Sequence, residues 1–151
     1  MITLIAIGKN HESWIRPGVD RYLERLQGAW KSKWILLPHS SKTGLSARQE
    51  ESQAILSRLD PADYVVVLDE HGTLLDSPAF SKKIEMTFTR SRHLVFVIGG
   101  AYGVSGELLE RADLVWSLSP LVFPHQLVRL LLAEQLYRAQ EIAANHPYHH
   151  A

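Results

Sequence analysis

There is no cysteine among the 151 residues. Disulfides, thiolate zinc sites and cysteine nucleophiles are therefore excluded. Excess charge of either sign is missing as well, because 16 basic and 16 acidic side chains cancel to a formal net charge of zero. A protein that coats nucleic acid by bulk charge needs clustered Lys and Arg. That class is excluded, while a local patch or a groove between subunits keeps RNA open as a substrate. No apolar run approaches the ~20 residues of a membrane span. The opening Met1–Gly8 has no basic leader, and its apolar stretch is too short for a secretory signal. The expectation is a soluble, cytoplasmic protein.

What is present is ordinary globular composition, 46% hydrophobic and 21% charged, in a length that suits one domain over residues 1–151. Five short apolar runs read as strands: Ile2–Ile7, Trp34–Leu37, Tyr64–Leu68, Leu94–Ile98 and Leu114–Leu118. Most are continuous rather than alternating, as expected of strands buried on both faces of a parallel sheet. Helical stretches lie between them. Pro17 suits the first turn of a helix to about Leu26. Ser46 with Gln49 spells a capping box for a helix to about Leu59. Ser77 reads as a cap before Pro78, with a helix to about Thr89. Ser105 reads as the cap of a helix through Ala112, and a last helix runs from about His125 to Ala144. Alternation of strand and helix predicts an α/β fold with a mostly parallel sheet flanked by helices.

Chemistry is expected at three strand ends, because ligands of open α/β sheets bind beyond the carboxyl ends of the strands. After the fourth strand come Gly99, Gly100 and Gly103, then Ser105. Glycine permits close approach of a ligand to the backbone; a tight turn with no ligand fits the same residues equally well. The spacing is neither a dinucleotide fingerprint nor a P-loop. After the fifth strand, Pro120 and Pro124 stiffen a loop around Leu121, Val122 and Phe123. These three suit the faces of an adenine, with core packing the alternative for at least one of them. The third turn is Leu68–Gly72. The loop Pro38–Leu45 reads either as a connector or as a substrate contact.

The last helix is apolar around most of its circumference, which suggests a subunit interface. Glu134 and Arg138 stand four apart and are placed to pair, a solvated ion pair being at least as good a reading as a catalytic role for Arg138. Arg129 lies inside an apolar run and needs a partner if buried. The tail Asn145–Ala151 is polar and aromatic. A frayed end is the plainer reading, and base stacking by Tyr148 with the histidines is the other. A histidine-rich tail also raises the question of metal; without carboxylates at ligand spacing, none is expected.

Taken together, four ordered blocks resemble the RlmH family of SPOUT methyltransferases along the whole chain. They are Ile5-Ala6-Ile7-Gly8-Lys9, Val97-Ile98-Gly99-Gly100-x-x-Gly103-x-Ser105, Phe123-Pro124-His125-Gln126-Leu127-x-Arg129 running on to Ala133–Ala139, and His146-Pro147-Tyr148-His149. Two positions depart from the family pattern, Val104 where leucine is common and the ending His150-Ala151 where a basic residue often follows. The resemblance implies a C-terminal trefoil knot, a feature otherwise almost absent from proteins. It implies a homodimer that uses S-adenosyl-L-methionine to methylate N3 of a pseudouridine in large-subunit ribosomal RNA within the ribosome. By position, Leu68, Gly100, Ser119, Pro120, Leu121, Val122, Phe123 and Pro124 match the cofactor contacts. His125, Arg129, Arg138, Tyr148 and His149 match the polar residues near the target base. Without the resemblance, a non-catalytic nucleotide-binding dimer fits the same residues, and even within the fold a tRNA target remains open.

Overall fold

The computed structural model describes residues 1–150. Five strands, β1 (Ile2–Ile7), β2 (Ser32–Leu37), β3 (Tyr64–Leu74), β4 (Leu94–Ile98) and β5 (Leu114–Ser117), form one sheet in the order β2-β1-β4-β3-β5. Every pairing is parallel. The helices are α1 (Arg16–Leu23), α2 (Gly44–Leu56), α3 (Ser77–Thr89), α4 (Gly106–Arg111) and α5 (His125–Ala143). The predicted α/β class with a parallel sheet holds.

Continuous apolar strands are explained by two cores. Successive side chains of a strand point to opposite faces. In β4, Leu94, Phe96 and Ile98 meet Phe80 and Ile84 of α3 and Leu132 and Leu136 of α5. The alternate Val95 and Val97 meet Ile55 of α2 and Leu108 of α4. On the first face Phe80 stacks on Trp116 at 4.1 Å, and Phe96 stands edge-on to both.

Several boundaries differ from expectation for local reasons. Ser46 is inside α2, not its cap: Ala47 N–H already bonds to the Thr43 carbonyl, and no side chain caps that end. The cap of α3 is Asp76, whose Oδ1 accepts Ala79 N–H at 2.8 Å; Ser77 instead donates to Gln135 Oε1 at 2.7 Å. Ser105 caps α4 as expected, accepting Leu108 N–H at 3.2 Å. The helix after Pro17 stops at Leu23, short of Leu26. β3 runs six residues past Leu68, because Leu68 and Thr73 both pair with Trp116 and residues 69–72 loop out between them. Gly72 sits where a Cβ would lie 2.5 Å from the Val115 carbonyl oxygen, so only glycine lets the strand return to β5.

Candidate active site

Three turns meet in one cleft at the carboxyl ends of β3, β4 and β5. Its walls include Leu68 and Glu70, Gly100 and Val104, and Leu118 and Phe123, and it encloses about 610 Å³ counting its open mouth. Sequence reasoning singled out these same turns. Of the residues matched to cofactor contacts, Leu68, Gly100, Ser119, Leu121 and Phe123 line the cleft. Leu121 and Val122 are 68% and 75% exposed, apolar groups left uncovered, while Phe123 is half-buried. Ser119 orders its own loop: its Oγ accepts Leu121 N–H at 3.0 Å and its carbonyl accepts the Ser117 hydroxyl at 2.9 Å.

The glycine turn is braced from behind by α2, which the sequence did not mark as functional. Arg48 Nε donates to the Tyr102 carbonyl at 2.6 Å, and Ser52 Oγ accepts Ser105 N–H at 2.9 Å. Between them Glu51 is 5% exposed. Its Oε2 accepts Ser40 N–H at 2.9 Å, while Oε1 is buried with no donor. The loop before α2 is thus pinned at Ser40. Nothing in the run Ala47–Gln53 signals this, because its polar residues read as a solvated face.

His125 opens α5 at the cleft and is exposed on its outer side. The protein mass behind the ring, and then Arg129, favour its neutral form and lower its pKa, partly offset by Glu70 and Glu51. Arg129 is 1% exposed; its two terminal nitrogens find the partners that burial demands, while its Nε is buried without one. Arg129 donates to the carbonyls of Ile7 (2.9 Å), Gly8 (3.0 Å) and Asn10 (3.0 Å) and to His11 Nδ1 (3.2 Å). It thereby ties α5 to the end of β1.

The tail folds back instead of fraying. Asn145 adopts φ +58°, Asn145 N–H bonds to the Ile142 carbonyl, and His146 N–H reaches the Glu141 carbonyl. This is a Schellman stop. His146 also contacts the Glu141 carboxylate. Tyr148 donates to Glu134 Oε1 at 3.2 Å, and burial pushes its phenol up to about 12, helped by Tyr22 and Glu134. Arg138 bonds to Glu134 Oε1 at 2.6 and 2.9 Å, lies under the Tyr148 ring at 4.8 Å and donates to His149 Nδ1 at 3.1 Å. Because arginine only donates, Nδ1 accepts, and a neutral His149 then carries its proton on Nε2. This cluster is not in the cleft: His149 lines a second depression with Trp116 and Gln135, on the far side of Leu118 and Phe123. The structure therefore brings five of the eight cofactor-type residues together with His125, leaves Pro120, Val122 and Pro124 outside the lining of the cleft, and groups Arg138, Tyr148 and His149 separately.

A parallel sheet covered by helices, with a cleft beyond three adjoining strands, defines an α/β protein built to hold a nucleotide-like ligand. Comparison with known proteins narrows this. The family model described as "Predicted SPOUT methyltransferase" matches residues 1–149. Ribosomal RNA large subunit methyltransferase H of Christiangramia forsetii is 42% identical over 154 residues, spanning 99% of this chain and 98% of the relative. The protein of that name from Acidiphilium cryptum is 43% identical, spanning 99% and 94%. Among solved structures, a probable methylase family protein from Haemophilus influenzae Rd KW20 shares the fold at TM-score 0.58 and 13% identity, over 99% of this chain and 70% of that one. TrmJ from Z. mobilis ZM4 shares it at TM-score 0.54 and 9% identity, over 93% and 70%. The chain belongs to the SPOUT methyltransferase family, among the ribosomal RNA large subunit methyltransferase H proteins.

Proposed function

We propose that this SPOUT methyltransferase transfers a methyl group from S-adenosyl-L-methionine to N3 of a pseudouridine in large-subunit ribosomal RNA, acting on the ribosome as a cytoplasmic homodimer. The observation that carries the reading is the meeting of the turns after β3, β4 and β5 in one cleft, in a chain whose 42–43% identical relatives bear that name. The residues present fit the cofactor. Leu121 offers uncovered apolar surface for a purine in the cleft, and Gly100 lets a ligand approach the main chain. When bound, S-adenosyl-L-methionine supplies an electrophilic methyl on a sulfonium that leaves as a thioether.

The chain's own residues then have to handle a proton and a developing charge. Attack by an imide nitrogen requires loss of its hydrogen. Tyr148, held protonated and donating to Glu134, is a poor acceptor near neutral pH. His125, neutral and at the cleft mouth, is suited to take the proton. His149, with Nδ1 held by Arg138, presents an N–H toward its surroundings. With Arg138 it would stabilise negative charge on the base, delivered from the tail of either subunit. Arg129, engaged with main-chain carbonyls, acts as a positioning residue for the β1 end and α5. We also read the C-terminal chain as threaded in a trefoil knot, α5 returning from the β5 edge to pack on α1 and α3. Stretching the chain by its ends should then stop short of full contour length, and full extension would remove that reading.

The test is methyl transfer from labelled cofactor to ribosomes, large subunits, free ribosomal RNA and tRNA, with the product base identified by mass spectrometry. Ribosomal particles should be methylated at one pseudouridine, and His125→Ala should lower turnover by about 10²-fold or more. Equal labelling of naked RNA and particles, or labelling of tRNA alone, would overturn the assignment.

A further inference from the structure

Glu51 is a buried carboxylate that the reaction above does not use. Its Oε2 is satisfied by Ser40 N–H at 2.9 Å, but Oε1, with no solvent contact, has no donor. Leaving a charged oxygen buried and unpaired is costly, and such groups ordinarily have a partner. No cation supplies one: Arg48, one turn earlier on α2, donates to the Tyr102 carbonyl. The position of Oε1 is specific. A methyl group at Gly100 would lie 2.5 Å from it and 3.2 Å from Ile7 Cγ2. Gly100 lines the cleft, and residue 100 has no side chain, so only the Gly100 main chain separates the buried oxygen from the cleft.

The topology gives that spot meaning. After β1 the chain turns outward to β2, and after β4 it passes over β3 to β5. β1 and β4 are neighbours, so the strand order reverses between their carboxyl ends. That reversal is where open α/β sheets hold ligands. Ile7 ends β1 and Gly100 follows β4, with Glu51 against both.

We propose that Glu51 Oε1 accepts a hydrogen bond from the α-ammonium of the cofactor's methionyl end, making the β1–β4 crevice the amino-acid subsite. The inference rests on the cofactor reading above. The sulfonium is the cofactor's other cation, but it carries no N–H, so only the ammonium both neutralises the carboxylate and donates to it. A charge-assisted bond in a dry site is among the stronger kinds. It would also hold Ser40, and with it the loop before α2, against the occupied cleft.

Calorimetric binding of three ligands by the full chain separates this role from simple bracing. S-adenosylmethionine has ammonium and sulfonium, S-adenosylhomocysteine has the ammonium alone, and 5′-methylthioadenosine has neither. Glu51→Gln should weaken the first two by about tenfold or more and leave the third within about twofold. Glu51→Asp, which keeps the charge but withdraws it, should show the same pattern at smaller size. Ser52→Ala, which loosens the glycine turn from α2 without touching the carboxylate, should affect all three alike. Equal weakening of all three by Glu51→Gln, or no change in any, overturns the proposal. Wild-type protein that binds none of the three overturns the cofactor reading itself, and this subsite with it.

Discussion

Arg129 shows how one buried side chain connects fold and site. Four hydrogen bonds satisfy its terminal nitrogens, three of them to carbonyls at or just after the end of β1, and no carboxylate among the described residues bonds to it directly. Replacing it by Met strands those carbonyls. Arg129→Met should cost about 3 kcal/mol in urea unfolding, and an unchanged midpoint would show that the main chain satisfies itself. His11 belongs to the same cluster. It is 8% exposed, stands edge-on to Trp34 at 5.0 Å, and its Nδ1 accepts from Arg129. Burial first, then Arg129, lowers its pKa below the ordinary 6.5. The unfolded chain therefore takes up a proton that the folded one resists. The stability contributed by neutral His11 is complete above about pH 6.5 and is lost as pH falls from there through the lower folded value. Unfolding at pH 7.5 and 5.5 should show a loss of stability on acidification that His11→Gln reduces. His125 shifts in the same direction but is exposed, so its share is smaller. Arg129 was legible as a problem from sequence, an arginine in an apolar run. Its solution was not, because its partners lie about 120 residues away.

At the scale of elements, the excursion at residues 69–72 sets the shape of the cleft. It lifts Asp69 and Glu70 to the rim, and Asp69 Oδ1 closes the turn by accepting His71 N–H at 2.8 Å. The return at Gly72 passes against β5 main chain. Gly72→Ala should therefore destabilise by about 1–3 kcal/mol through overpacking and weaken cofactor binding as well. An alanine variant with wild-type stability would mean that β5 moves aside at little cost. The sequence marked this turn as a strand end; the strand's resumption depends on β5 lying alongside, which local pattern does not encode. The tail makes the same point. Composition suggested fraying, but left-handed Asn145 reverses the chain, and Tyr148 and His149 find Glu134 and Arg138 on α5. Glu134 with Arg138, plausible from sequence as a solvated pair, is the platform for that docking.

Across the whole molecule, α5 buries one stripe, Arg129, Leu132, Ala133, Leu136 and Ala139. Leu127, Leu131 and Ile142 stay half-exposed, and Leu74, Leu121 and Val122 are uncovered. The sequence expectation that α5 is buried on more than one side is met within the monomer on one side only. We assign the remaining apolar flank to a second copy of the chain. Sedimentation should give about twice the 17.1 kDa chain mass, and Leu131→Glu should shift the protein toward monomer. A wild-type monomer at micromolar concentration would sink that assignment.

Some of this was decided by sequence alone. Continuous apolar strands between amphipathic segments require a parallel sheet with two covers, because burial on both faces leaves no polar alternation. The prolines, glycines and Ser105 likewise mark turns through local φ preferences and hydrogen bonding. Tertiary structure alone decided the strand order β2-β1-β4-β3-β5, the convergence of three turns, the partners of Arg129 and the placing of Glu51 under Gly100. Those contacts join residues far apart in the chain, and their energies arise only when packing removes water from between them.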